Sequence, residues 1–139
     1  MEVFSPKLGL LKKHSVNRFI YFFWFVLTLG KYKIIYLYDN DKIIHYTHLL
    51  PKFFKFPFMK SDDLEIGPSW TAIEFRGKGL FPSVIAYILE HFKKGHRDFH
   101  ILVHDDNISS QKAIQKVDFQ EWGRGYRTKF LGIYKVENV

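Results

Sequence analysis

The sequence predicts a mixed α/β fold in which helices pack on a single sheet. Two observations carry this. Three β-rich runs separated by turn residues come first, and helical patterns then alternate with further strands. The third run, Leu64 to Thr71, enters a basic loop with two glycines, and an apolar helical pattern follows at once. At 139 residues the chain is expected to form one domain, 1–139, long enough to bury a core.

Residues 1 to 18 are mixed and basic, with Lys7, Lys12, Lys13, His14 and Arg18. The almost wholly apolar run Phe19 to Leu29 follows. It spans eleven residues, and a bilayer crossing needs about 20. A basic lead before an apolar core also suits a signal peptide, but Gly30-Lys31-Tyr32-Lys33 offers no small-x-small cleavage site. The favoured reading is a helix ending near Gly30, apolar on all sides because it is covered on all sides.

Lys33 to Tyr38 and Lys42 to Leu49 flank Asp39-Asn40-Asp41 and predict a hairpin. Phe53 to Met59 is aromatic, basic and broken by Pro57; it reads either as core cover or as a loop over a pocket. Leu64 to Thr71 is the third strand. From Ser83, the residues Val84, Ile85, Ile88, Leu89 and Phe92 recur at helical spacing, with a Glu90–Lys94 pair and a stop at Gly95. Phe99 to His104 predicts a strand. Asp105-Asp106-Asn107 supplies cap chemistry for a helix from about Ile108 to Val117. Phe119 to Val136 holds one or two strands, with Gly123 and Gly125 between them.

The absence of cysteine excludes disulfides, a thiolate nucleophile and cysteine-ligated zinc, and fits a cytoplasmic protein. Hydrophobic content of 47% and aromatic content of 19% indicate a bulky, ordered core. The net charge of +7 implies anionic partners. Lysines and arginines are spread along the chain without a block of like charge, which argues against nucleic acid.

The loop Arg76-Gly77-Lys78-Gly79, followed by Leu80-Phe81-Pro82, has the order that builds an anion cradle. Free N–H groups of a helix's first turn and its dipole favour negative charge, and glycine allows close approach. Its spacing matches neither the Walker A loop nor the dinucleotide G-x-G-x-x-G. A second constellation is Asn107, Ser110, Lys116, Asp118 and Phe119.

The first loop resembles the pyrophosphate loop of the GNAT (GCN5-related) acyl-CoA N-acetyltransferases, Gln/Arg-x-x-Gly-x-Gly/Ala, with Phe81 where a small residue is usual. The second resembles that family's Asn-x-x-Ser, helix, Lys-x-Gly-Phe, with Asp118 in place of the glycine. The resemblance covers residues 33 to about 125; His45 to Pro82 is more narrowly similar to acetyltransferases of bacterial surface-polysaccharide biosynthesis.

The resemblance implies a GNAT-like three-layer fold with a central, mostly antiparallel, splayed sheet flanked by helices. It implies acetyl-CoA as co-substrate and transfer of the acetyl group to the amine of a small molecule, such as an amino sugar or nucleotide-linked amino sugar. Ser69, Trp70 and Thr71 would pair with the pantetheine arm, Arg76, Gly77, Lys78, Gly79, Leu80 and Phe81 would hold the pyrophosphate, and Asn107 and Ser110 would complete the site. Glu65 lies where the family often places a catalytic glutamate, and His45 or His48, facing oppositely by alternation, would line the acceptor pocket; Glu65 and His45 are the candidate catalytic residues. The family's usual tyrosine acid falls at Ile114, which leaves Tyr126 or water for that step. His100 and His104 share a strand face, but no metal site is expected. Expected partners are a small amine, with no nucleic acid and no stable membrane insertion. No clear first strand precedes the aromatic helix; a homodimer partner supplying one, or a shortened chain, would account for this. The competing readings are a CoA- or anion-binding module without turnover, and a basic membrane-surface or nucleic-acid binder.

Overall fold

The computed structural model describes residues 1–5 and 18–137. The basic lead from Lys7 to His14 lies outside them. Its elements in order are β1 (Glu2–Phe4), α1 (Arg18–Thr28), β2 (Lys33–Asp39), β3 (Lys42–Pro51), β4 (Leu64–Thr71), a short 3₁₀ turn (Ile73–Phe75), α2 (Leu80–Phe92), β5 (Phe99–His100), α3 (Ile108–Gln115), β6 (Gly125–Arg127) and β7 (Tyr134–Val136). The first five strands form one sheet in sequence order, antiparallel except for β4–β5. No helix among the described residues is long and apolar enough to cross a membrane.

The β2–β3 hairpin forms as the sequence predicts. Asp39 pairs with Lys42, and Asn40 takes the left-handed conformation (φ 51°) that asparagine tolerates. Alternation along the strands then splits the core between the two faces of the sheet. On one face Ile34, Tyr36 and Leu50 pack with Phe53, Phe56 and Met59, and with Trp24 and Leu27 of α1. On the other, Ile35, Leu49 and Ile66 meet Val84, Ile85 and Ile88 of α2, with Ile114 and Phe119 from around α3. Each fully buried isoleucine on this face contributes about 1.5–3 kcal/mol. The Phe53 to Met59 segment is therefore core cover, anchored by its three buried side chains.

Five expectations are corrected. A first strand exists: Glu2 to Phe4 pair with Tyr36 to Ile34, so no strand from a partner is needed. The α1 helix is not covered on all sides. Trp24 and Leu27 face the core, while Phe22, Phe23, Phe25 and Val26 are exposed because no described element packs over them. The α2 helix ends at Phe92, with Lys93 already extended, so Glu90 and Lys94 do not share a helical face. Strand β5 stops at His100, four residues short of His104, for the reason given below. Finally, β6 and β7 form a separate two-stranded sheet.

Candidate active site

The site is built around an irregularity in β4. Thr47 pairs with Ser69 but Leu49 pairs with Ile66, so Gly67 and Pro68 together oppose His48. That is a β-bulge, which bends the strand and turns it away from its neighbour. On the other side β4 meets β5 in parallel only at Leu64–Phe99 and Glu65–His100. Beyond the bulge the two strands splay, which is why β5 is so short. The splay that the resemblance implies is present between β4 and β5.

The splay leaves one edge of β4 open. The amide of Ala72 bonds to the carbonyl of Ile44, so by the two-residue alternation Trp70 directs its backbone toward β3 while Ser69 and Thr71 direct theirs toward the open edge. The Arg76 guanidinium, through Nε, donates to the carbonyl of Thr71 at 3.0 Å. Arg76 thus joins the edge to the loop that follows.

In that loop Gly77 and Gly79 have φ of 74° and 76°, the left-handed region that favours glycine. A Cβ on either would meet nothing within 4 Å, so the space beside them is open. Gly79 caps α2 without a side-chain bond, leaving the first-turn N–H groups of Leu80 and Phe81 free of a side-chain acceptor. Lys78 lies over the Phe75 ring at 4.8 Å, its charge held beside the same turn. Backbone donors, dipole and two cations converge here on space that an anion can enter.

Asn107 is the N-cap of α3, its Oδ1 accepting from the amide of Ser110 at 3.2 Å. Asp118 adopts the left-handed conformation (φ 63°) that its place in the motif requires. Ile114 packs into the core on the α2 face, and Tyr126 lies on exposed β6.

The two candidate catalytic residues fall on opposite faces. His45 lies on the α2 face beside Phe81 and is fully buried. Its Nδ1 is 2.7 Å from Thr71 Oγ1 and its Nε2 2.7 Å from Thr47 Oγ1, which is in turn 2.9 Å from Ser69 Oγ. Burial pushes the imidazole down to about 4, so it is neutral at physiological pH. Both nitrogens are engaged. The chain Thr71–His45–Thr47–Ser69 fixes the side chains of the two residues whose backbones face the open edge.

Glu65 faces the other way, opposite Leu50 and among the α1-side core. Burial pushes its carboxyl well above the usual range. Gly67, at φ 144°, keeps space above it: a Cβ there would lie 3.0 Å from Glu65 Oε1. His48, absent from the candidate pair, shares this face, its ring 5.9 Å from Trp24 and 5.6 Å from Tyr46. Its Nδ1 donates to the Pro68 carbonyl at 3.0 Å. Tyr46 stacks on Trp70 with ring centroids 5.7 Å apart. A Gly-Pro pair interrupting a strand was the available signal that the residue opposite has a special place.

At the base of the splay, buried Asp63 accepts from the amides of Lys60 and Asp98 and bonds His100 Nε2 at 2.9 Å. Among the described residues no group of three or more histidines, aspartates or glutamates could hold a metal.

No family model matches the sequence, and no curated protein matches it significantly. Several solved structures share its fold. AAC(6')-Iy, solved with the bisubstrate analogue CoA-S-monomethyl-acetylneamine, superposes with a TM-score of 0.61 at 16% identity, covering 88% of this chain and 86% of that one. A ribosomal-protein-alanine N-acetyltransferase from Brucella melitensis gives 0.64 at 14% identity, over 98% and 96%. A predicted acetyltransferase from Clostridium acetobutylicum, solved with acetyl-CoA, gives 0.55 at 14% identity, over 84% and 76%. The chain therefore has the fold of the GNAT acetyltransferases, with that fold's splayed sheet.

Proposed function

We propose that the protein is an acetyl-CoA-dependent N-acyltransferase acting on a small primary amine. One observation supports this above all: the open edge of Ser69 and Thr71 runs directly into the glycine cradle at the start of α2, and Arg76 bridges the two. An extended amide-bearing arm ending in a pyrophosphate suits that pair of features. Two of the structures that share the fold were solved with a CoA-containing ligand, the bisubstrate analogue in one and acetyl-CoA in the other.

In this reading Ser69 and Thr71 pair their backbones with the pantetheine amides, and Trp70 flanks them. Residues Arg76, Gly77, Lys78, Gly79, Leu80 and Phe81 hold the pyrophosphate, while Asn107 and Ser110 sit at the start of α3 across the splay. Acetyl-CoA supplies an activated thioester: the amine nitrogen bonds the carbonyl carbon, the carbon–sulfur bond breaks, and the thiolate takes a proton. Glu65 accepts the proton that the ammonium must lose, a task suited to a carboxylate whose affinity for protons burial has raised. His45 is a positioning residue that sets the edge hydroxyls. With isoleucine at position 114, the thiolate proton comes from water or Tyr126. The acceptor class that the sequence favours is an amino sugar, free or nucleotide-linked, in the cytoplasm, as in surface-polysaccharide synthesis.

Ile114, packed in the core, also favours a second reading, a CoA-binding module without turnover. Calorimetry with acetyl-CoA, on the wild type and on Gly79→Asp, tests the shared site. Binding that the added carboxylate abolishes is the expected result, and absence of binding to wild type would sink both readings. Release of free thiol in the presence of amines separates the two.

A further inference from the structure

Glu65 and His48 are each 4% exposed, and each keeps one buried polar atom without a hydrogen-bond partner, Oε2 and Nε2 respectively. Buried polar side-chain atoms are nearly always bonded, so two on one face of a sheet need an explanation. By register they are diagonal neighbours: Glu65 opposes Leu50, and His48 lies two residues before Leu50. Diagonal neighbours on one sheet face lie within reach of aromatic and long side chains. They do not bond each other directly.

The chemistry of the bridging group follows from the donors and acceptors. The Pro68 carbonyl can only accept, so His48 Nδ1 carries the ring proton and, in the neutral ring, Nε2 presents a lone pair. An ionised Glu65 presents only acceptors. When Glu65 is ionised, as its role as base requires, two acceptors with no donor between them call for a ligand rich in donors. An ammonium has three N–H bonds and no lone pair; a hydroxyl has one donor, and an anion none. The aromatic neighbours point the same way. Tyr46 stands 5.6 Å from His48, stacked on Trp70, which reaches the surface at 40% exposure. That platform accepts an apolar ring face, and its π-faces favour a nearby cation.

We propose that His48 Nε2 and Glu65 Oε2 together seat the acceptor as a primary ammonium borne on a ring that lies against Tyr46 and Trp70. This assignment rests on the acyl-transfer reading and names its acceptor site. One proton passes from nitrogen to Glu65 Oε2. The nitrogen keeps two hydrogens, one of them held by His48 Nε2, and its freed lone pair is the nucleophile. His48 is then a binding residue for the acceptor.

The test uses the full chain with CoA present and measures binding of two ring-containing amines, 2-phenylethylamine and glucosamine, against their neutral counterparts 2-phenylethanol and glucose. At least one amine is expected to bind about tenfold or more tightly than its counterpart, the arm that does so telling an aromatic acceptor from a sugar. His48→Asn, whose amide keeps the bond to the Pro68 carbonyl but removes Nε2, should abolish that preference with acetyl-CoA affinity unchanged. His48→Gln, which restores an acceptor near Nε2, should recover it. Equal binding of amine and neutral compound by wild type, or an undiminished preference in His48→Asn, would overturn the proposal. Loss of acetyl-CoA binding with the amine preference intact would remove acyl transfer and leave the ammonium seat standing.

Discussion

His45 Nδ1 lies 2.7 Å from Thr71 Oγ1, across the β3–β4 pair and beneath the open edge of the sheet. Because burial pushes this imidazole down to about 4, folding and protonation oppose each other. The unfolded chain takes up the proton near pH 6.5 and the folded chain does not until about 4. Stability is therefore lost as pH falls through that window, by about 1.4 kcal/mol per pH unit for this one group. Urea unfolding from pH 7 to pH 4 should show this loss, and the difference between wild type and His45→Gln should follow the same window. A pH-independent difference would mean that His45 is not held neutral.

Glu65 has the opposite sign. Its folded affinity for protons is raised, so the stability it confers is full at low pH and is lost as pH rises through its folded value. Glu65→Gln should gain stability relative to wild type on going from acidic to alkaline buffer, measured by urea midpoints. In the same variant, thiol release from acetyl-CoA by an accepted amine should fall by about 10²–10⁴ if the carboxylate is the base.

Gly67→Ala should be costly. The backbone there, at φ 144°, is one that side chains rarely adopt, and the new methyl carbon would lie 3.0 Å from Glu65 Oε1. A loss of about 1–3 kcal/mol in chemical unfolding is expected. A neutral result would show that the bulge relaxes without penalty.

Arg76→Ala should weaken acetyl-CoA more than it weakens the fold. The guanidinium is exposed, so its removal should move thermal stability little, within about 0.5 kcal/mol. Loss of a charge-assisted contact to the pyrophosphate should raise the dissociation constant by about tenfold, and the salt dependence of binding should flatten. Unchanged affinity would place the pyrophosphate elsewhere.

The parts of this molecule legible in its sequence are those set by local chemistry. Asn40 announced the hairpin, Asn107 the start of α3, and the two loop glycines the turn into α2. What stayed hidden depends on one inserted residue. Strict alternation places Glu65 on the same face as Ser69 and Thr71; the bulge at Gly67–Pro68 turns it to the opposite face, beside His48. The same bend removes the partner that Ile101 to His104 would need to continue β5. Strand β1, with only Glu2 to Phe4, is too short to carry a period, and its pairing with β2 becomes visible only in three dimensions.

Asp63 gives the splay a property beyond its shape. Its carboxylate holds the amides of Lys60 and Asp98 and the ring of His100 at the point where β4 and β5 part, and Asp98 returns a salt bridge to Lys60 at 2.7 Å. The two arms of the gap are clipped together at their common root, so that end of the slot is formed before any ligand arrives. A ligand entering such a preformed slot forfeits little chain entropy on binding, and its contacts go toward affinity instead of toward ordering the protein.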